Sequence, residues 1–444
     1  MYNLRSAGYS YRTKMKGEAC EASEGEDEWE ATDSVAAATE SSEAESEGST
    51  ESEGEGTVAK AKAPKYNHEE KTYVAALDPT EKLALVQLEN QLRQTIQKDA
   101  IPLRFKILNS TMDERSKHLI LYKLEQFQQM NDQHSDYFKL KQWLHSVCQI
   151  PLHTYKNLPV NRDHALSDIR GFMYQVKTSM DATVYGHADA KNQIMQIIAQ
   201  WISNPSSHGH CIGIQGAMGT GKTSLVKDGI SKALGMPFGF VTLGGASDGS
   251  FLEGHSFAYE GASYGKISEI LIKTQCMNPI IFFDELDKVS GTKKGAEIIS
   301  ILTHLTDASQ NNQFNDRYFG ELDLDLSRAL MVFSYNDESL INPILKDRMI
   351  TIRVKGYTVE EKCVIARDYL LPKILESYGF LEGEVVFPEA ALLKLIPKEE
   401  GVRHLRRRLE KIIGWLNMHR YLPSDYPIAF PCGVSDDLIN RVFV

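Results

Sequence analysis

The apolar positions of this chain change their spacing several times, and each change predicts a different kind of element. Between residues 78 and 152 they recur at helical spacing. Leu85, Leu88, Leu92 and Ile96 form one stripe, Ile120, Leu124 and Phe127 a second, and Tyr137, Leu140, Leu144 and Val147 a third. From Leu166 the pattern becomes short, continuous apolar runs separated by helical stretches. The runs fall at about 211–215, 238–243, 279–284, 329–335 and 350–354. Runs of that length between helices predict a mainly parallel sheet with helices on both faces. Beyond residue 356 the spacing is helical again. Thr358 and Glu361 have the spacing of a capping box and open a helix to about Ser377. Further helices are predicted over Pro388 to Leu395 and Val402 to Met418.

Composition changes this picture at one place. Residues 17 to 57 hold fifteen Asp or Glu and no Lys or Arg, more than the whole net charge of −11. The rest of the chain is therefore net basic. The acidic tract is rich in Ser, Glu, Gly and Ala and cannot bury a core, which predicts a disordered N-terminal segment over residues 1–65. Ser23 and Ser42 lie in contexts that suit an acid-directed kinase. No run of about 18 apolar residues exists, so no membrane span is expected. Six cysteines lie far apart without a Cys-x-x-Cys pair, which argues for a reducing compartment and against structural zinc. An intracellular soluble protein of cytoplasm or nucleus is expected. The resulting division is a helical neck at 78–165, a large α/β domain at 166–355, a small helical lid at 356–425 and a tail at 426–444.

The candidate chemistry sits at the ends of the apolar runs. Gly216-Ala-Met-Gly-Thr-Gly-Lys-Thr223 follows the run at 211–215 and precedes a helical stretch, Ser224 to Leu234. Gly216, Gly219 and Gly221 permit a tight turn whose N–H groups point inward, with Ala217, Met218 and Thr220 between them. Lys222 supplies a charge for β- and γ-phosphates, and the Thr223 hydroxyl is a Mg²⁺ ligand. The fold class is thus an α/β P-loop NTPase, with ATP and Mg²⁺ as the expected nucleotide and metal.

Four further residues complete the constellation. Asp284 ends the run Pro279-Ile-Ile-Phe-Phe283, where a carboxylate holds Mg²⁺, and Glu285 follows it, where a carboxylate polarises the attacking water. Asn336 ends the run at 329–335. It either orients that water or senses the γ-phosphate, or it merely forms a turn with Asp337. Arg348 precedes the run at 350–354. It is either an arginine finger for a neighbouring subunit or one half of a surface ion pair with Asp347.

These residues, in this order, resemble the AAA+ module of Lon proteases. The likeness takes in Tyr185-Gly186-His187, Leu243-Gly-Gly245, Gly254-His255, Tyr259, Gly265-Lys-Ile267 and Phe283-Asp-Glu-Leu-Asp-Lys288. It continues through Asn312-Gln-Phe314, Asp316, Asp325-Leu-Ser327, Asp347-Arg-Met349, Gly356-Tyr-Thr358 and Gly401-Val-Arg403. The stretch Asp136-Tyr137…Trp143-Leu144…Pro151 is similar to the Lon neck. The resemblance implies that Tyr185 and Gly186 border the nucleotide and that Arg403 touches it from the lid. It also implies that Tyr259 grips a threaded polypeptide and that the chain assembles as a homo-hexamer. Two departures stand out. Family members usually follow the pore tyrosine with an aliphatic residue, whereas Glu260 stands here. No Pro-Lys-Asp-Gly-Pro-Ser-like string of the Ser–Lys peptidase occurs, so intrinsic peptidase activity is not expected.

The leading expectation is an ATP-driven unfoldase or remodelling ATPase acting on unfolded or misfolded polypeptide. A second reading makes it the motor of a two-chain protease with a separate peptidase. A third is an AAA+ motor acting on nucleic acid. The acidic tract argues against the third because it repels phosphates, and the basic run Arg406-Arg407-Arg408 is read as a solvated face beside Arg403.

Overall fold

The computed structural model describes residues 67–97, 101–131, 133–134, 136–246, 248–422 and 428–443. The expectations for residues 1–65 therefore lie outside the described residues. The described residues up to Val86 belong to a unit separate from the rest of the chain. Its described part holds helix His68–Ala76, opened by a capping box between Asn67 and Glu70, and the start of helix Pro79–Gln97. The first predicted stripe does not pack as expected: Leu85 and Leu88 are exposed. The side chains of Leu92 and Ile96 lie outside the described residues.

In the larger unit, five strands form one parallel sheet. They are β1 (Cys211–Gly216), β2 (Phe238–Thr242), β3 (Ile280–Asp284), β4 (Leu330–Tyr335) and β5 (Ile350–Val354), in the order β2-β3-β4-β1-β5. Their composition matches their positions. All six residues of the central β4 are buried, because both sheet faces are covered there, whereas the edge strands β2 and β5 alternate between buried and accessible positions. The two-residue period also divides the core. Ile280, Phe282, Leu330, Val332, Ile212 and Ile214 join helices Leu166–Thr183 and Ala188–Ser203 on one face. Ile281, Phe283, Met331 and Phe333 join helices Lys266–Thr274 and Lys293–Thr306 on the other.

The neck helices belong to that second core. Ile120, Leu124, Leu140, Trp143, Leu144 and Val147 are buried, as the second and third stripes predict. Trp143 is fully buried, and its Nε1 donates to the Tyr318 carbonyl at 3.0 Å. The neck helices thus join the core on one side of the ATPase sheet rather than forming a core of their own.

The lid has its own core. Leu405, Leu409, Ile412, Ile413 and Leu416 of helix Arg403–Tyr421 are fully buried against Ile374, Leu392 and Leu395. Each such burial is worth about 1.5–3 kcal/mol. The capping box at Thr358 forms with both of its hydrogen bonds. The expected tail is corrected: residues 428–443 are part of the lid. Val385–Val386 pairs in parallel with Cys432–Gly433, and helix Asp436–Phe443 buries Leu438, Ile439 and Val442 in the lid core. Those three apolar positions lie at helical spacing, so the last turns gain more by packing than by solvation. Among the described residues no helix is long and apolar enough to cross a membrane, and the cysteines are free.

Candidate active site

Parallel strands deliver their C-terminal ends to one edge of the sheet, and the candidate residues collect there. The loop after β1 turns through Gly219 and Gly221, both in the left-handed region at φ 78° and 89°. A helix then starts at Lys222 and runs to Leu234, with a wider π turn at Leu225–Ser231. The loop is internally braced. The Thr220 hydroxyl donates to the Ala217 carbonyl at 2.9 Å, and Lys222 Nζ donates to the Gly216 and Ala217 carbonyls at 2.6 and 3.0 Å.

Lys222 Nζ also donates to Asn336 Oδ1 at 2.8 Å. This bond joins the loop after β1 to the end of its neighbour β4. Burial holds the Lys222 amine below its ordinary range, against the pull of the Asp284 and Asp287 carboxylates. Asp284 accepts from the Ser334 hydroxyl. Glu285 adopts φ 61° and ψ 45°, an uncommon conformation for a residue with a side chain. Its carboxylate lies against Gly244, where a Cβ would stand only 2.2 Å from Oε2. Gly244 thereby makes room for Glu285.

The lid closes the other side. The Val402 N–H donates to the Gly219 carbonyl at 3.1 Å, and a Cβ on Gly401 would meet the Met218 carbonyl oxygen at 2.1 Å. The Tyr357 hydroxyl lies 2.9 Å from the Thr220 carbonyl and 2.8 Å from His187 Nε2, which is itself 3.0 Å from that carbonyl. Burial pushes the His187 imidazole below its usual pKa. Gly186 and His187 are both left-handed, and the chain turns there into helix Ala188–Ser203.

The cleft measures about 590 Å³, within the range of sites that take a molecule of nucleotide size. Tyr185, Met218, Gly219, Thr220, Gly221, Lys222, Thr223, Asp284, Glu285, Asn336 and Arg403 all line it. Gly216 and Ala217 contribute the carbonyls that hold Lys222. Sequence reasoning missed several lining residues. Ile365, Tyr369 and Lys373 face the cleft from one lid helix, and Arg406, Arg407 and Glu410 from another. Arg406 and Arg407 are exposed, as the reading of a solvated face expects, but that face also borders the cleft. The missed signal was helical spacing: 365, 369 and 373 share a face, as do 403, 406, 407 and 410.

Gly186 is next in sequence to Tyr185 but does not itself line the cleft, and two further candidates lie elsewhere. Arg348 does not line the cleft. It pairs with Asp307 at 3.0 Å and donates to the Thr303 carbonyl, so the expected alternative partner, Asp347, is not the one it takes. Tyr259 is 70% exposed, on a loop between β2 and β3.

The donor set fits Mg²⁺ and a triphosphate. A hydroxyl at Thr223 and a carboxylate at Asp284 are hard oxygen ligands, and the cleft offers Lys222, Lys373, Arg403, Arg406 and Arg407 as cations. A left-handed glycine pair leaves the loop N–H groups free of Cβ atoms.

Comparison with known proteins agrees with this site. Residues 212–357 match the ATPase family associated with various cellular activities (AAA). A Lon protease homolog of Acanthamoeba polyphaga mimivirus is 35% identical over 334 residues, covering 73% of this chain and 32% of that protein. Lon protease homolog 3, mitochondrial, of Arabidopsis thaliana is 32% identical over 346 residues, covering 76% of this chain and 36% of that protein. The Lon protease of Parabacteroides distasonis is 32% identical over 308 residues, 69% of this chain and 36% of its own length. The chain thus spans about a third of the length of the curated relatives it matches. A parallel sheet with a phosphate loop after β1, an acidic pair after β3 and a helical lid seated on that loop make this chain a bearer of a Lon-like AAA+ ATPase module.

Proposed function

We propose that this module hydrolyses ATP at the interface between subunits of a ring, most simply a homo-hexamer, and uses it to pull unfolded or misfolded polypeptide past Tyr259. The observation that carries the reading is the division of its residues. A complete set of phosphate, metal and water-positioning groups lines one cleft, while Arg348 and Tyr259 stand outside it.

In this reading the loop N–H groups and Lys222 hold the β- and γ-phosphates. Asn336 leaves Lys222 to face the γ-phosphate or the attacking water. Thr223 and Asp284 hold Mg²⁺, which when bound neutralises charge developing on the phosphate oxygens. Glu285 accepts a hydrogen bond from the attacking water and aims it. Arg403 reports the state of the nucleotide to the lid, since its helix begins where Val402 meets Gly219. Arg348 completes the site of the neighbouring subunit. Tyr185, Ile365 and Tyr369 offer the apolar end to the base. No peptide-bond cleavage is assigned to these residues.

The test is an ATPase assay with and without an unfolded protein, run beside unfolding of a fluorescent substrate. Casein-stimulated hydrolysis with unfolding is expected, and Tyr259→Ala should turn over ATP without unfolding. Stimulation by DNA instead of polypeptide would overturn the reading, and casein degradation that tracks the pure chain would overturn the assignment of a motor alone.

A further inference from the structure

The loop that carries Tyr259 is built to present its tip. Residues 254–265 leave the body and return to nearly the same point, where His255 N–H donates to the Ser263 carbonyl at 3.0 Å. Such closure makes a compact Ω-type loop. Its base is sealed from below by the buried Asp316. One carboxylate oxygen accepts from the Gly265 N–H at 2.8 Å and from the Ser268 hydroxyl, the other from the Tyr318 N–H at 2.9 Å. One flank is pinned by Phe257, edge-on to Trp143 and to Tyr318, with ring centroids 6.5 and 6.0 Å apart. At the tip, Ala258, Tyr259, Glu260 and Gly261 are all exposed.

Charge on this loop is unevenly cancelled. Glu253, at the base, pairs with Arg317 at 2.9 Å. Lys266, where the loop re-enters a helix, pairs with Glu269 at 3.0 Å. Asp316 is buried and spent on the three donors just named. Glu260 has no ion-pair partner among the described residues, so the tip carries one uncompensated negative charge beside an exposed aromatic ring.

We propose that Glu260 gives this loop a charge preference, so that the polypeptide held by Tyr259 is drawn in where it carries Lys or Arg and resisted where it carries Asp or Glu. The inference rests on the threading function proposed above. In a ring each subunit brings one Glu260 toward the axis, and a ring of carboxylates in a confined channel selects cations by sign. The Tyr259 face acts in the same direction, because an ammonium or guanidinium over an aromatic ring is attracted by its quadrupole. Tyr259 and Glu260 together form a receptor for a cationic side chain on an extended chain. An aliphatic residue at 260 would leave a grip indifferent to charge.

The experiment uses the full chain and one fluorescent reporter with three matched unstructured tags, differing only in Lys, Glu or Ser at the same positions. Unfolding and stimulated ATPase are measured against tag concentration. The Lys tag should show a KM lower than the Glu tag by about tenfold at low ionic strength, and the gap should shrink as salt screens it. Glu260→Gln should collapse the gap, and Glu260→Lys should reverse its sign. Equal KM values for the Lys and Glu tags in the parental protein would overturn the inference, as would a gap unchanged by Glu260→Lys. The two readings fail separately. If Tyr259→Ala still unfolds every tag, threading itself is wrong. If it unfolds none while the parent treats all tags alike, only the charge preference is wrong.

Discussion

Gly401→Ala tests whether the lid must sit directly on the phosphate loop. Gly401 is not in the left-handed region, so alanine suits its backbone. The added Cβ, however, would lie 2.1 Å from the Met218 carbonyl oxygen and 2.7 Å from the Gly219 carbonyl carbon, and both are backbone atoms of a braced loop. Real Cβ contacts stay beyond 3.0 Å, so the lid must withdraw by at least about 0.9 Å. That breaks or stretches the Val402–Gly219 hydrogen bond, worth about 1 kcal/mol, and carries Arg403 away with it. A displacement near 1 Å at a catalytic site costs about 10²-fold in rate, or roughly 2.7 kcal/mol of barrier. Of this contact only Val402 packs against the lid core, and Leu405, Leu409 and Ile412 are buried within the lid itself, so the fold should survive. The assay is steady-state ATP hydrolysis beside a thermal melt. A protein that melts normally and hydrolyses about 10²-fold more slowly is the expected result. Parental turnover in Gly401→Ala would refute the claim that this close seat positions the lid.

Glu285→Gln should leave ATP affinity nearly intact and slow hydrolysis by about 10²-fold or more, whereas Lys222→Ala should weaken binding itself; nucleotide titration and turnover on the same samples separate the two. Arg348→Ala should bind nucleotide yet lose hydrolysis by about 10²- to 10³-fold, and mixing it with Lys222→Ala subunits should restore part of the activity. Failure of complementation, or full-rate hydrolysis by a monomer in sedimentation, would remove Arg348 from the site. Burial raises the Asp316 carboxyl to about 6 from the usual 3.8. The native state therefore holds a proton that the unfolded chain has released between those values, and this group's contribution to stability grows as pH falls through that window. Urea denaturation should accordingly show the stability difference between parent and Asp316→Asn shifting toward the parent from about pH 7 to about pH 5. An unchanged difference would mean that Asp316 does not titrate there.

Much of the module was legible in the chain itself, and for one physical reason. A buried parallel strand, a phosphate loop and a capping box are each written within a few consecutive residues. Ile280-Ile-Phe-Phe283 is apolar without alternation because both faces of β3 are covered. Gly219 and Gly221 stand where the backbone is left-handed. Thr358 and Glu361 reach each other across one helical turn. Once strands are parallel, Asp284 and Asn336 must arrive at the same edge as Lys222, so most of the candidate site followed from the pattern as well.

Partnerships across the fold did not. Helical spacing puts Arg403, Arg406 and Arg407 on one face but does not say what that face meets; only the packing of the lid turns it to the cleft. Arg348 pairs with Asp307 and not its neighbour Asp347, because the ends of two separate helices meet there. Gly244 has no local reason to be glycine until Glu285 is packed against it. Trp143 binds the neck into the ATPase core through a carbonyl 175 residues away, and Leu438, Ile439 and Val442 make a presumed tail into part of the lid. In each case a side chain's own stretch fixes its direction from the backbone, while its partner depends on how distant elements bury their faces together. Sequence by itself determined the elements and the chemistry at their ends; tertiary structure alone decided which surfaces meet.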